Sequence, residues 1–178
     1  MKHILTIILL TVTMSIYAQE NLDIPAYRNK GYAGSVSFND QLFLFLGVDT
    51  SHGYMFNECH YLGGGLGLYI TPMVVNGVVP MTAHAYAEYK SYFLKKRSTP
   101  TAGLKMGYAI PVSDDPHDPE RPDQTIVTYF KAFEVEPYIG WDWGLKNGKG
   151  IGLALGANLL IDDEGLLPLL KLSLSINF

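Results

Sequence analysis

Apolar and polar side chains alternate along most of this chain with a period of two. The closing segment shows the pattern without a fault: Leu172, Leu174, Ile176 and Phe178 interleave with Lys171, Ser173, Ser175 and Asn177. In a β-strand successive side chains point to opposite faces, so each set lines one face. The spacing predicts eight strands, within residues 31–38, 43–56, 61–71, 80–93, 101–110, 126–143, 150–161 and 167–178. In the third, Leu62, Leu66, Leu68 and Ile70 oppose Gly63, Gly65, Gly67 and Tyr69. In the fifth, Leu104, Met106, Tyr108 and Ile110 oppose Gly103, Lys105, Gly107 and Ala109. The parity of the second blurs between Asp49 and Gly53, which predicts a bulge or an early end there.

The breaks carry turn chemistry. Asn39-Asp40, Asn76-Gly77, Asn147-Gly148 and the stretch 162–165 all favour tight turns. One connection is long, residues 111–124, where Pro111, Pro116, Pro119 and Pro122 block regular structure. An even strand count puts both ends of the array on the same side, so the odd connections, the long one included, share the opposite side.

Charge decides which face is which. The apolar face of the third, fifth, sixth, seventh and eighth segments carries no charged residue, whereas the opposite face holds Lys105, Glu134, Glu136, Asp142 and Lys171. A soluble lipocalin-like barrel turns its apolar face inward, and a membrane barrel turns it outward. Here the second face is largely Gly, Ala and Ser in alternate strands. That makes a poor solvent surface and suits the crowded inside of a narrow barrel. Tyr54, Phe56, Tyr61, Tyr89, Phe93, Trp141, Trp143 and Phe178 gather at one end, as an interfacial girdle would.

Composition agrees. Hydrophobic residues make up 48% of the 178 and charged residues only 17%, yet no stretch after the N-terminus is long enough for a spanning helix. Apolar surface without apolar helices must lie on strands, and in lipid only a closed barrel leaves no unpaired edge. The net charge of −4 argues against a nucleic-acid partner. Cys59 is the single cysteine, which precludes an internal disulfide, and it reads as a turn residue. Residues 1–18 read as a signal peptide: Lys2 and His3, an apolar run from Ile4 to Tyr17, and Ala18 before Gln19. The run is short for a membrane anchor, and no cysteine near the cut suggests a lipoprotein. Residues 19–178 are then one exported barrel domain.

The signal peptide, the eight alternating segments and the terminal Phe178 together resemble the small eight-stranded outer-membrane β-barrels of the outer membrane protein A and X type. They resemble in particular the outer membrane protein beta-barrel domain proteins of Bacteroidota. The resemblance implies an all-β, eight-stranded, antiparallel up-and-down transmembrane barrel in the outer membrane of a Gram-negative cell. It implies a monomer that meets outer-membrane lipid and lipopolysaccharide. It also implies that the barrel-assembly machinery reads the C-terminal strand ending at Phe178. It carries over no functional residue.

Candidate chemistry is sparse. Thr50-Ser51-His52 invites a lipid-hydrolase reading, but neighbouring strand residues point to opposite faces. His84, Tyr86, Glu88 and Lys90 share one face of the fourth strand and suit an interior polar network. Its carboxylates need partners, for which Lys90, Lys105 and Lys171 are available to Glu88, Glu134 and Glu136. Acidic residues crowd 114–123 and 162–164, where hard cations find oxygen ligands, without the spacing of an EF-hand. Gly63-Gly64-Gly65 lacks the Lys-Ser/Thr of a phosphate loop. The expected catalytic, cofactor and metal sets are therefore none. The expected role is structural or loop-mediated, with a plugged bore. A small pore or transport accessory and a lipid A-type hydrolase are the alternative function classes.

Overall fold

The computed structural model describes residues 28–42, 44–72, 79–112, 131–145, 148–163 and 165–178. Strands β1 Gly31–Gln41, β2 Phe45–Met55, β3 His60–Ile70, β4 Met81–Tyr92, β5 Ser98–Pro111, β6 Ala132–Gly144, β7 Gly150–Asp162 and β8 Gly165–Asn177 follow one another around a closed antiparallel barrel. Sequential antiparallel pairing needs only hairpin connections, so chain order and spatial order coincide. The seam pairs β1 with β8 from Ser35↔Asn177 to Asp40↔Leu172.

The strands are staggered. Pairing runs from Asp40 through Leu172, Leu155, Ile139, Ala102, Ser91 and His60, then through the Phe56 N–H bonded to the His60 carbonyl, and returns near the foot of β1. That stagger of about ten residues fits a strand tilt of about 35–45°. A barrel of eight strands has an interior just wide enough for side chains to fill.

The two faces are inverted relative to a soluble protein. Leu66, Phe38, Ile139, Leu153, Leu155, Leu172, Leu174 and Ile176 are all exposed on the outside. Asp49, His84, Glu88, Lys105, Glu134, Glu136 and Lys171 are buried inside. Aromatic side chains ring the end where the termini of the barrel lie: Tyr32, Tyr54, Phe56, Tyr89, Phe93, Trp141, Trp143 and Phe178. Phe38, Tyr108 and Phe133 stand exposed nearer the far end.

Several expectations need correction. Asn39-Asp40 is not a turn but belongs to β1. Asn39 is inside, where its Oδ1 accepts a hydrogen bond from Ser173 Oγ at 2.7 Å. The chain reverses at Gln41–Leu44 instead, with Leu42 at φ 51° and the Leu44 N–H donating to the Gln41 carbonyl at 3.0 Å. No bulge interrupts β2, whose register runs unbroken from Leu46↔Ile70 to Met55↔Tyr61. Its parity blurred because Thr50 and His52 are polar residues on the outer face. Tyr61 leaves the aromatic ring, because its position in β3 shares parity with the inward glycines, and it is 5% exposed. The sequence placed β5 at 101–110, but pairing extends it from Ser98 to Pro111. The signal-peptide segment, Asn76-Gly77 and residues 113–124 of the long connection lie outside the described residues. Gly148 at φ 73° and Gly165 at φ 145° mark two turns that the sequence placed correctly.

Candidate functional site

Period-two alternation sends every second side chain of eight tilted strands into one narrow bore. The glycines decide which large groups fit there. A Cβ at Gly67 would run into His84 Nε2 and Asp49 Oδ1. One at Gly103 would run into the Tyr138 ring, and one at Gly65 into the Tyr86 ring. Large polar side chains of β4 and β6 thus lie across the small residues of β3 and β5, as the alternation of sizes suggested.

Asp49 is the hub. Its Oδ1 lies 2.9 Å from His84 Nε2, and its Oδ2 accepts from Lys105 Nζ at 3.1 Å and Lys171 Nζ at 3.3 Å. Lys171 also donates to Glu136 Oε2 at 2.8 Å and to Tyr69 Oη at 2.9 Å. The other ring nitrogen of His84 lies 2.9 Å from Glu134 Oε2. Two ring nitrogens facing two carboxylates are both satisfied as donors when both carry a proton. His84 is stacked between Tyr69 and Tyr86, with centroids 4.4 and 5.3 Å away. Lys105 lies 4.7 Å from the Tyr86 ring centroid, within cation–π range. This one network joins β2, β3, β4, β5, β6 and β8 through the middle of the bore.

Further layers of side chains lie on both sides of it. Toward the far end, Phe45, Tyr69, Ala109, Ala132, Leu160 and Leu169 form an apolar cluster inside the barrel. Toward the termini, Tyr138 Oη donates to Glu88 Oε1 at 2.6 Å, Lys90 Nζ lies 3.8 Å from Glu88, and Ser51 Oγ lies 2.8 Å from Tyr61 Oη. Beyond these come Met55, Tyr61 and Tyr92. A polar-lined cavity of ≈ 30 Å³ lies among Ser37, Glu88, Lys105, Glu136 and Ser173, room for at least one water. A larger cavity of ≈ 330 Å³ opens at the terminal mouth, beside Tyr61, Lys90 and Phe178.

Arg28 lies at that mouth. It precedes β1, yet it is only 5% exposed. Its Nε donates to the Glu58 carbonyl at 3.1 Å, and its Nη2 donates to the carbonyls of Leu94 and Lys96 at 3.0 and 3.2 Å. Its Nη1 lies 3.6 Å from Asp142 Oδ1, and the guanidinium sits 4.2 Å from the Tyr92 ring centroid. Asn177 of β8 also donates to Asp142. One side chain thus ties the β2–β3 turn, the β4–β5 turn and β6 together.

In the structure Lys90 meets Glu88 and Lys171 meets Glu136, while Glu134 meets His84 and Lys105 meets Asp49. The sequence offered the three lysines to the three glutamates as a set, without fixing pairs. It missed Asp49, inside the stretch of blurred parity, and Arg28, which lies outside any alternating segment. Ser51 and His52 take opposite faces. Ser51 is inside against Tyr61, and His52 is outside with its Nδ1 2.6 Å from Tyr32 Oη. Gly63-Gly64-Gly65 lies in mid-strand in β3. Asp162 Oδ1 accepts the Gly165 N–H at 3.0 Å and so shapes the last turn. Cys59 is a turn residue, its N–H bonded to Asn57 Oδ1 at 2.8 Å. The acidic residues at 114–123 and Glu164 lie outside the described residues.

The same fold is found in known membrane barrels. The chain is similar to the N-terminal β-barrel domain of Pseudomonas aeruginosa OprF, with a TM-score of 0.55 at 9% identity, covering 84% of this chain and 98% of that one. Neisserial surface protein A matches with a TM-score of 0.51 at 10% identity, covering 83% and 92%. A designed transmembrane β-barrel matches with a TM-score of 0.50 at 10% identity, covering 87% and 98%. No protein-family model matches the sequence, and no curated protein matches it.

Proposed function

We propose that this chain is an integral outer-membrane barrel whose bore is closed by its own side chains. Its role is structural, or is carried by the far-end connections. One observation supports this above all: apolar side chains face out around the whole barrel while a connected charge network fills its centre. An apolar surface of that extent is not stable in water, and lipid is the solvent that matches it. The aromatic rings near the two ends of the strands suit the two lipid–water interfaces. The shared fold with outer-membrane barrels supports the same compartment, reached through cleavage after residue 18. The terminal end then faces the periplasm, and the far end, with Asp40, Asp162 and Asp163, faces outward to the lipopolysaccharide layer. Phe178 is the residue offered to the assembly machinery.

Closure of the bore is a separate element of the reading. The bore is crossed by the Asp49 network, capped on the outward side by Phe45, Leu160 and Leu169, and latched on the periplasmic side by Arg28. No continuous water path is expected through such layers. A barrel of this kind works through what it presents and not through what it passes. Gel mobility of unboiled against boiled protein in SDS tests the architecture. A folded barrel migrates apart from its boiled form, and identical mobility contradicts the reading. Removing residues 113–124 tests the role. A barrel that keeps its heat-dependent shift but loses binding to host or neighbouring cell surfaces supports a loop-mediated function. Unchanged binding leaves the structural role as the supported one and contradicts the loop-mediated one.

A further inference from the structure

We infer that the outer wall between β4 and β7 carries a site for an anionic glycerophospholipid of the periplasmic leaflet. The inference rests on the membrane reading above. Two independent features meet there. The first is a groove of ≈ 530 Å³ on the outside of the barrel, walled by Phe93, Ile139, Trp141, Leu153 and Leu155 and floored by the backbone of Gly140 and Ala154. Neighbouring rungs of the sheet, Trp141↔Leu153 and Ile139↔Leu155, place these side chains in one continuous apolar channel along the strand direction. The second feature is a cluster of cations at its periplasmic end. The Gly144 N–H donates to the Arg97 carbonyl at 2.7 Å, Arg97 Nε donates to the Gly144 carbonyl, and the Leu145 N–H donates to the Lys149 carbonyl at 2.7 Å. Exposed Lys96, next to Arg97, and exposed Lys149 therefore flank the end of β6 on either side, while Arg97 itself is held by its bond to the Gly144 backbone.

The spacing suits one molecule. Lys149 lies opposite Leu145, and the groove begins near Trp141, so cation and channel are about 13 Å apart along the strand at about 3.3 Å per residue. That separates a headgroup phosphate from the upper part of its acyl chain. Trp141 stands between them, its Nε1 donating to Ser98 Oγ at 2.7 Å, at the depth where an amphipathic ring marks the interface. A zwitterionic lipid fills the groove equally well but offers Lys96 and Lys149 no net counter-charge. Each cation near an anionic membrane surface is worth about 1 kcal/mol, or roughly fivefold in affinity. Glu58, an acidic residue of this rim, lies 3.7 Å from Lys95 and is not needed by the proposed set.

The chain supplies its own probe, because Trp141 and Trp143 are its only tryptophans. The full barrel is reconstituted into phosphatidylcholine vesicles holding a small fraction of phosphatidylglycerol, with bromine on the acyl chains of one lipid at a time. Brominated phosphatidylglycerol is expected to quench tryptophan emission at least severalfold more per mole than brominated phosphatidylcholine. The double variant Lys96→Gln/Lys149→Gln, at exposed positions, is expected to lose most of that preference. Equal quenching by both lipids in the unchanged barrel overturns the site. A preference that survives in the variant but vanishes in high salt shows a diffuse rim effect and also overturns it. No quenching by either lipid overturns the membrane reading itself, which separates the two failures.

Discussion

Phe178 and Gly34 close the barrel as one unit. The Gly34 N–H donates to the Phe178 carbonyl at 2.8 Å, and the Phe178 N–H donates to the Gly34 carbonyl at 2.9 Å. The aromatic ring then lies over the glycine, where a Cβ would stand 2.8 Å from its Cε2 atom. His52 meets the ring edge-on at 6.3 Å and stacks on Tyr32. Phe178 is thus held by paired backbone bonds, with its ring over a glycine that leaves it room to lie flat.

Gly34→Val is expected to push the Phe178 ring out and weaken the last rung of the seam. Refolding into detergent, followed by the unboiled gel shift, should slow or become incomplete. Deleting Phe178 should lower the amount inserted in cells far more than it lowers refolding in detergent. Full burial of one aromatic side chain is worth only about 1.5–3 kcal/mol, and Phe178 stays 45% exposed. Equal losses in both settings contradict a specific role in assembly.

Asp49→Ala leaves Lys105, Lys171 and His84 around an empty centre. Removing one partner of a buried ion pair typically costs about 3–5 kcal/mol, which should appear in urea unfolding of the detergent-folded barrel. Asp49→Asn keeps the volume and some hydrogen bonds and should cost less. In a double-mutant cycle, Glu136→Ala and Lys171→Met should cost less together than the sum of the two alone, because each single change strands the other charge.

Arg28→Ala removes the donors to the Glu58, Leu94 and Lys96 carbonyls. Backbone amides of the β2–β3 and β4–β5 turns, Cys59 to Tyr61 and Lys95 to Arg97, should exchange hydrogen faster, while amides around Asp49 remain protected. Unchanged exchange in those turns contradicts the latch.

Gly67→Ala and Gly103→Ala should each destabilise by about 1–3 kcal/mol through overpacking against His84 with Asp49, and against Tyr138. Gly148→Ala meets no side chain, and its cost should come only from a φ of 73°. Urea midpoints of the three variants check the ranking.

The fold was legible because alternation in a two-faced sheet reports which side chains share a face. That signal is strong in β3, β5, β7 and β8, where Leu and Ile face Gly, Ala and Ser. It failed in β2, because Thr50 and His52 on the outside bond to groups of the same surface, Leu66 and Tyr32, and so look like inward residues. Ion-pair partners were half legible. Lys90 and Glu88 lie on one strand face, whereas Lys105 reaches Asp49 across the bore. Parity names the residues that enter the bore, but the stagger between strands decides which of them meet. Arg28 left no periodic signal at all, since its role depends on three carbonyls supplied by two distant turns.

Current through planar lipid bilayers tests the closed membrane barrel most directly, using full-length protein whose insertion is verified by its heat-dependent gel shift. The inserted barrel is expected to give no steady ohmic conductance, because on the proposed reading the Asp49–Lys171–Glu136 network and the layers on either side of it plug the bore. A steady current that rises in proportion to inserted protein and to voltage would contradict the account.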